Sequence, residues 1–576
     1  MIGLFPMARE TAMDGPTVRV RETRVAPGHE PALPPQGYEL EVSADGVLHC
    51  RHADADGRHY AQLSAAQLLA RNADRLPVGT LTDWPDYPVR GVMLDISRDK
   101  VPKLAMLKAI IRQLGALKFN HLQLYMEHTF AYRDHEAVHG ESGAYSHADI
   151  AELRAVCRQH RITLAPNQNC LGHLERWLAH PRYAPLALAP RGSMNAIGVR
   201  RPPMTLDPRH PGSFALIAGL LDEIVPAFDA DMVHIGMDET WELEESRLDE
   251  LVDWVERLSG LNAMEGRMVL AWADMFLSDP DRLRRIRDHA VLCDWGYEAD
   301  HDFDASARRL AEAGVDFWVC PGTSSWLSLS GRWDNALANC TRAAEAGLRH
   351  GASGFLLTDW GDNGHLQPWT ISWPAIAVSA GASWCREANR GLDICLVLDR
   401  HLFGDATGGL SGALRELGNL YRRVTPQPSN MSALTACFYY PWFRAGEGLT
   451  DGLTLDELQD VRVSIETARC ALADAAPTTR TGRDARADLH WVADTVELVV
   501  DDLTWRLRGD GSLSSVPDTV LLGLAERCDA VLARHRAMWS SRNRPQGLDS
   551  SARWFEQVRN NYQAGRAISC KPPRAI

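Results

Sequence analysis

The chain has 576 residues, too many for one compact core, so two to four domains are expected. Its composition is that of a globular protein, 45% hydrophobic and 24% charged, rather than a disordered or fibrous one. A formal net charge of −14 argues against nucleic acid or an anionic membrane as partner, because both require basic surface.

At the start of the chain, residues 1–20 lack a basic stretch followed by an apolar run, so no signal peptide is expected. Residues 1–86 read as a small α+β domain. Strand-like alternation at 37–42 is followed by an Asp45-Gly46 turn, a second strand at 47–50 and a helix over 61–71. Asp83-Trp84-Pro85 and Tyr87-Pro88 end this domain, because proline interrupts both helix and ladder.

Residues 87–385 alternate short apolar strands with helices. Eight strands are predicted, at 91–96, 120–126, 162–168, 232–237, 268–273, 290–295, 317–321 and 354–360. Helices are predicted at 103–117, 147–160, 213–228, 281–287, 305–313 and 333–348. Eight strand–helix units imply a closed parallel (β/α)8 TIM barrel, with an open doubly wound sheet as the alternative. A proline-rich insert at 179–212 follows the third strand and belongs at the C-terminal face, where active-site walls are built. Residues 386–576 form a C-terminal helical domain, with helices at 410–423, 455–473, 485–507 and 516–542. That domain either packs on the barrel or makes a homodimer contact. The polar stretch from Trp539 to Leu548 reads as a helix–helix connection, with a place at an active-site mouth as the sharper alternative.

No window approaches 18 uninterrupted apolar residues, so no transmembrane helix and no membrane partner are expected. The 12 cysteines are scattered without a Cys-x-x-Cys pair, against zinc-ribbon and thioredoxin-like chemistry. Cys170, Cys293 and Cys320 lie in or beside apolar runs, where buried free thiols are common. A reducing, cytoplasmic setting is expected, a periplasmic one being left open.

The sharpest local signal is Val233-His234-Ile235-Gly236-Met237-Asp238-Glu239, an apolar strand ending in two carboxylates. An acid at such a junction can simply cap the next helix. The other strand ends, however, also gather polar and aromatic groups. They carry Asp95 and Arg98, Glu127 and His128, Asn167, Asn169 and His173, then Trp272 and Asp274, Trp295 and Tyr297, Thr323 to Trp326, and Trp360 and Asp362. Barrel enzymes place catalytic groups on this one rim. Tryptophans with carboxylates and an arginine suit a hydroxyl-rich sugar ring, and two carboxylates are the usual equipment of glycoside hydrolysis. Adjacent strand residues point in different directions, so Asp238 and Glu239 are poorly placed as an acid and a protein nucleophile. They suit a substrate that supplies its own nucleophile.

His234-x-Gly236-x-Asp238-Glu239 resembles the signature of glycoside hydrolase family 20, the β-N-acetylhexosaminidases. Arg90-Gly91 through Asp95 and Arg98, Trp360-Gly361-Asp362, and the Asp83-Trp84-Pro85 junction resemble further blocks of that family. Pro166-Asn167-Gln168-Asn169-x-x-Gly172-His173 looks closer to its hexosaminidase D-like branch. The resemblance covers about residues 37 to 375 and implies exo-acting, retaining, substrate-assisted hydrolysis of a glycan with a terminal GlcNAc or GalNAc. It implies Glu239 as general acid and then base, and Asp238 as the ionised group that grips the acetamido N–H and orients its oxygen toward C1. Arg90 and Asp362 would bind ring hydroxyls. Trp272, Trp295, Trp326 and Trp360 would line the site, Glu127 and Asn169 would also bind substrate, and His173 and His234 would join them there while supporting the carboxylates by hydrogen bonds.

No metal or cofactor is called for, since His173 and His234 lack a compact ligand spacing. The seventh strand ends in Pro321-Gly322-Thr323-Ser324-Ser325-Trp326, without the tyrosine that family uses to hold the acetamido oxygen, so Tyr297 or Tyr125 is expected there instead. Two other readings stay open: a retaining glycosidase whose protein nucleophile is Glu127 or Asp362, and a non-catalytic glycan-binding barrel.

Overall fold

The computed structural model describes residues 3–194, 200–440 and 443–564. At the N-terminus, strands Glu10–Ala12, Gly79–Asp83, Tyr38–Val42, Val47–His52 and Glu22–Val25 form a five-stranded sheet in that order. Helix Ala55–Arg71 packs on this sheet. The Asp54 side chain caps the helix by accepting from the Gly57 N–H, which starts it six residues earlier than apolar spacing alone predicts.

Eight parallel strands then close a barrel: Val89–Asp95, His121–Met126, Thr163–Gln168, Met232–His234, Met268–Trp272, Val291–Trp295, Phe317–Cys320 and Gly354–Asp359. The eighth pairs with the first from Gly354↔Val89 to Asp359↔Leu94, which completes the closure and excludes the open sheet. These strands are buried nearly throughout, as expected of a parallel sheet covered by helices.

Helix Pro211–Phe228 is long and apolar enough to cross a membrane by composition. In this fold it is a barrel helix, with Ile217, Leu220, Leu221, Ile224 and Val225 buried in the core. The eleven cysteines among the described residues are free.

The proline-rich insert lies over the C-terminal face. It contains a short hairpin, Ser193–Met194 with Arg200–Arg201, and its residues 195–199 lie outside the described residues. The chain after the barrel forms helices, among them Leu455–Asp474, Arg480–Arg508, Asp518–Arg542 and Leu548–Ala564. The connection between the last two docks on barrel loops. The Arg544 N–H donates to the Val101 carbonyl at 2.8 Å, and its guanidinium donates to the carbonyls of Gly143 and Ala144. Gly547 lies so close to the Asp99 carbonyl that an added Cβ would come within 2.0 Å of it, so only glycine fits. The stretch is therefore both a helix connection and a brace on the face that carries the site.

A buried polar knot joins the N-terminal domain to the bottom of the barrel. Asp83 accepts from Tyr38 at 2.6 Å, Lys118 at 3.0 Å and Trp384 at 2.9 Å. Both ends of the Lys118–Asp83 ion pair are 0% exposed. Breaking one partner of such a pair leaves a buried charge uncompensated. We expect Asp83→Ala to cost about 3–5 kcal/mol in denaturant unfolding. Adding Lys118→Met should recover part of that loss, because it removes the orphaned charge.

Candidate active site

The fourth barrel strand ends at His234, three residues sooner than its apolar run suggests. Gly236, Met237 and Glu239 then take left-handed backbone angles, with φ of 73°, 85° and 52°. Two contacts fix this turn. The His234 Nδ1 accepts the Gly236 N–H at 3.0 Å, and the Asn169 side-chain oxygen lies where a Cβ on residue 236 would have to sit. Glycine at 236 is required on both counts. The turn overturns the expectation that Asp238 and Glu239, as neighbours, diverge. They do not stand on a strand, and both carboxylates converge on the His173 Nε2, at 3.3 and 3.4 Å.

His173 comes from the loop after the third strand and is itself left-handed, at φ 52°. Burial works against its charge, but Asp238 and Glu239 outweigh it and hold the imidazole pKa well above the usual value. Burial likewise opposes ionisation of Asp238. His173 and then Arg98 reverse that and keep this carboxyl below the usual range. The Oδ2 of Asp238 faces His173, while its buried Oδ1 has no hydrogen-bond partner among the described residues.

The other rim acids behave differently. Asp274 accepts the Glu239 backbone N–H at 3.0 Å and the Trp295 indole N–H at 3.1 Å. Burial, with the charge of Asp238 beside it, pushes its pKa up to about 7. Glu127 accepts from the Tyr125 hydroxyl at 3.0 Å and pairs with Arg98 at 3.2 Å. Its burial exceeds the help from Arg98 and raises it to about 7. Asp362 is likewise raised by burial, to about 6.

The aromatic groups form one connected cluster. Trp360 donates its indole N–H to the Tyr297 hydroxyl at 2.8 Å and packs on Tyr125 and Trp272, with ring centroids 4.7 and 5.9 Å away. Tyr297 stacks on Trp295 at 5.2 Å and meets Trp326 edge-on at 5.0 Å. Trp295 is partly exposed, whereas Trp272 and Trp326 are buried and brace the cluster from beneath.

Three sequence expectations need correction. Arg90 is not at the site. It lies at the N-terminal end of the first strand, where it donates to the Lys118 and Tyr87 carbonyls and to Tyr60, and packs over Trp384. The arginine at the mouth is Arg98, held by Asp95 at 3.3 Å and by Glu127, its guanidinium over Tyr125 at 4.7 Å and Trp360 at 5.4 Å. His234 makes no hydrogen bond to either carboxylate. It is fully buried against Trp272, and burial lowers its pKa to about 3, so it is a neutral support of the turn. Asn169 is also fully buried and donates to the Tyr125 hydroxyl at 2.6 Å, beneath the rim rather than on it.

Tyr125 is engaged by Asn169 and Glu127 and the Tyr297 hydroxyl by Trp360 and Thr358, but Tyr297 is the one that reaches the surface, at 9% exposure against 0%. The sequence reading places Asp274 and Arg98 at strand ends but assigns neither a role at the site. It leaves out Tyr439 of the helical domain, a buried phenol pushed up by burial and by the charge of Asp362. Trp554 of the same domain packs on Gly364, beside Asp362, and against Tyr439. Nothing in the local sequence of either residue marks it as a neighbour of the barrel mouth.

The profile of the family described as "Glycosyl hydrolase family 20, catalytic domain" matches residues 87–345. The barrel belongs to glycosyl hydrolase family 20. A "Beta-hexosaminidase" of Akkermansia muciniphila is 28% identical over 231 residues, which span 36% of this chain and 46% of that one. "Hexosaminidase D" of Bos taurus is 27% identical over 240 residues, 38% of this chain and 66% of that protein. The chain thus spans less than half of the first of these relatives. Among solved structures, a beta-N-acetylhexosaminidase aligns with a TM-score of 0.56 at 20% identity, covering 69% of this chain and 95% of that one. One from Bacteroides fragilis aligns at 0.53 and 17%, covering 67% and 91%. At that identity the two structures establish the shared fold of the family 20 barrel.

The two arginines separate by experiment. Arg90→Gln should lower the melting temperature and leave the Michaelis constant unchanged, because its partners are structural. Arg98→Gln should lower kcat/KM by about 10- to 100-fold, the scale of a lost charged hydrogen bond. A second test reads the charge on His173. Without it Asp238 loses its main counter-charge and its pKa rises, so the acid limb of the pH–rate profile should move to higher pH in His173→Gln.

Proposed function

We propose that this chain is an exo-acting β-N-acetylhexosaminidase that removes a terminal GlcNAc or GalNAc by substrate-assisted, retaining hydrolysis. The observation that carries this reading is the buried Asp238, its pKa held low, with one carboxylate oxygen facing His173 and the other without a hydrogen-bond partner among the described residues. Such an oxygen is an acceptor waiting for an N–H, and a 2-acetamido group supplies one. Holding that N–H turns the acetamido oxygen toward C1 and stabilises the cyclic cation formed there. Tyr297 would donate to the acetamido oxygen from the opposite side. Glu239, with its side chain 27% exposed, would protonate the glycosidic oxygen and then take a proton from water. Arg98 and Asp362 would bind ring hydroxyls, and Tyr439 and Trp554 would close that side of the site.

The rival with a protein nucleophile is weakened by the same charges. Burial pushes Glu127 up to about 7 and Asp362 up to about 6, which works against the ionised form a nucleophilic carboxylate needs.

Chromogenic GlcNAc and GalNAc substrates, set against a plain glucoside, test the proposal. We expect turnover of the acetamido sugars only, with tight inhibition by a GlcNAc-thiazoline, which mimics the cyclic intermediate. Glu239→Gln and Asp238→Asn should each lower kcat by at least about 100-fold, and Tyr297→Phe by a similar factor. Good turnover of the glucoside would favour the rival nucleophile. Sugar binding without any hydrolysis would favour the binding protein.

A further inference from the structure

Trp241 is 56% exposed, a large indole left in solvent beside a buried acid cluster. The hydrolytic steps make no use of it. Its backbone N–H donates to the Glu239 carbonyl at 2.8 Å, so it stands one tight turn beyond the acid pair. Along this turn Asp238 and Thr240 are buried, the Glu239 side chain is partly exposed, and Trp241 stands out in solvent. The next residue pins the turn, because Glu242 accepts the Thr205 N–H at 3.0 Å. The same segment carries the hairpin of Ser193–Met194 and Arg200–Arg201. Arg201 lies with its guanidinium carbon 5.3 Å from the Trp241 ring centre. Arg200 donates to the Arg191 carbonyl at 2.9 Å. Arg191, Arg200 and Arg201 have no carboxylate partner among the described residues, in a chain of net charge −14.

We infer that Trp241, with Arg200 and Arg201, binds the sugar on the leaving-group side of the scissile bond, and that this sugar is anionic. The inference rests on the hexosaminidase reading. If Glu239 protonates the glycosidic oxygen, whatever lies outward of Glu239 faces the leaving sugar. An indole stacks on the C–H face of a pyranose, and guanidinium groups pair in a forked geometry with carboxylate or sulfate. A uronate and a sulfated sugar share that chemistry.

The test uses three disaccharides with the same terminal N-acetylhexosamine on a neutral, a uronate or a sulfated sugar. Wild type should favour the anionic pair by about tenfold in kcat/KM at low salt, and the preference should shrink as salt rises. The better of the two anionic substrates identifies the source of the charge. Trp241→Ala should lower kcat/KM on all three by about tenfold. Arg200→Gln with Arg201→Gln should abolish the anionic preference and leave the neutral rate in place. The thiazoline inhibition constant, which reports only the terminal-sugar site, should not change in any variant.

Equal rates on the three sugars in wild type would overturn the charge assignment. Unaltered disaccharide turnover in Trp241→Ala would overturn the platform, and an altered thiazoline constant would overturn its confinement to the leaving side. Failure of wild type to bind thiazoline at all would instead sink the hexosaminidase reading, and this inference with it.

Discussion

A carboxylate taken out of water keeps its charge only where nearby positive groups and donors replace the lost hydration. At the mouth of this barrel His173 does most of that for Asp238, with Arg98 behind it. Positive charge there is scarce, and it is shared unequally. Asp274, Glu127 and Asp362 are buried within the same cluster and are all pushed upward. One rim therefore holds one acid kept ionised among several that burial pushes upward.

That distribution depends on where Arg98 and His173 are held. Asp95 binds the Arg98 guanidinium and also accepts the Gly361 N–H at 2.9 Å, which ties the first strand's loop to the loop after the eighth. Helices of the C-terminal domain then close over those loops. Ser550 and Arg176 both reach Asp99, at 2.9 and 2.6 Å, joining the last helix, the first-strand loop and the short helix Glu175–Leu178 after the third strand. The helical domain is thus part of the frame of the site rather than an appendage.

Much of the barrel is legible in the sequence because a parallel strand covered on both faces must be a short apolar run, and eight such runs alternate with helical spacing. Its charge chemistry is less legible. Polar residues at strand ends do mark the mouth, but the same pattern gathers groups that only hold loops. Thr323, Ser325 and Ser372 all donate to the buried Asp359 carboxylate, and Asn167 donates to Gln123 inside the barrel. Arg90 and Arg98 flank a single strand and look interchangeable in the sequence. They stand at its opposite ends, roughly 20 Å apart for a strand of this length, and only the end at which the site lies decides which one serves it.

The sequence by itself determined the (β/α)8 architecture, the acid pair after the fourth strand and the kind of chemistry such a pair supports, since these rest on local periodicity and on residue type. Tertiary structure alone decided that Asp238 and Glu239 converge, because the left-handed turn depends on His234 and on Asn169 from another strand. It also decided which arginine and which tyrosine face the mouth, and that Tyr439 and Trp554 stand beside Asp362. Burial and the distances between distant segments fix those choices, and neither quantity is encoded in any one stretch of the chain.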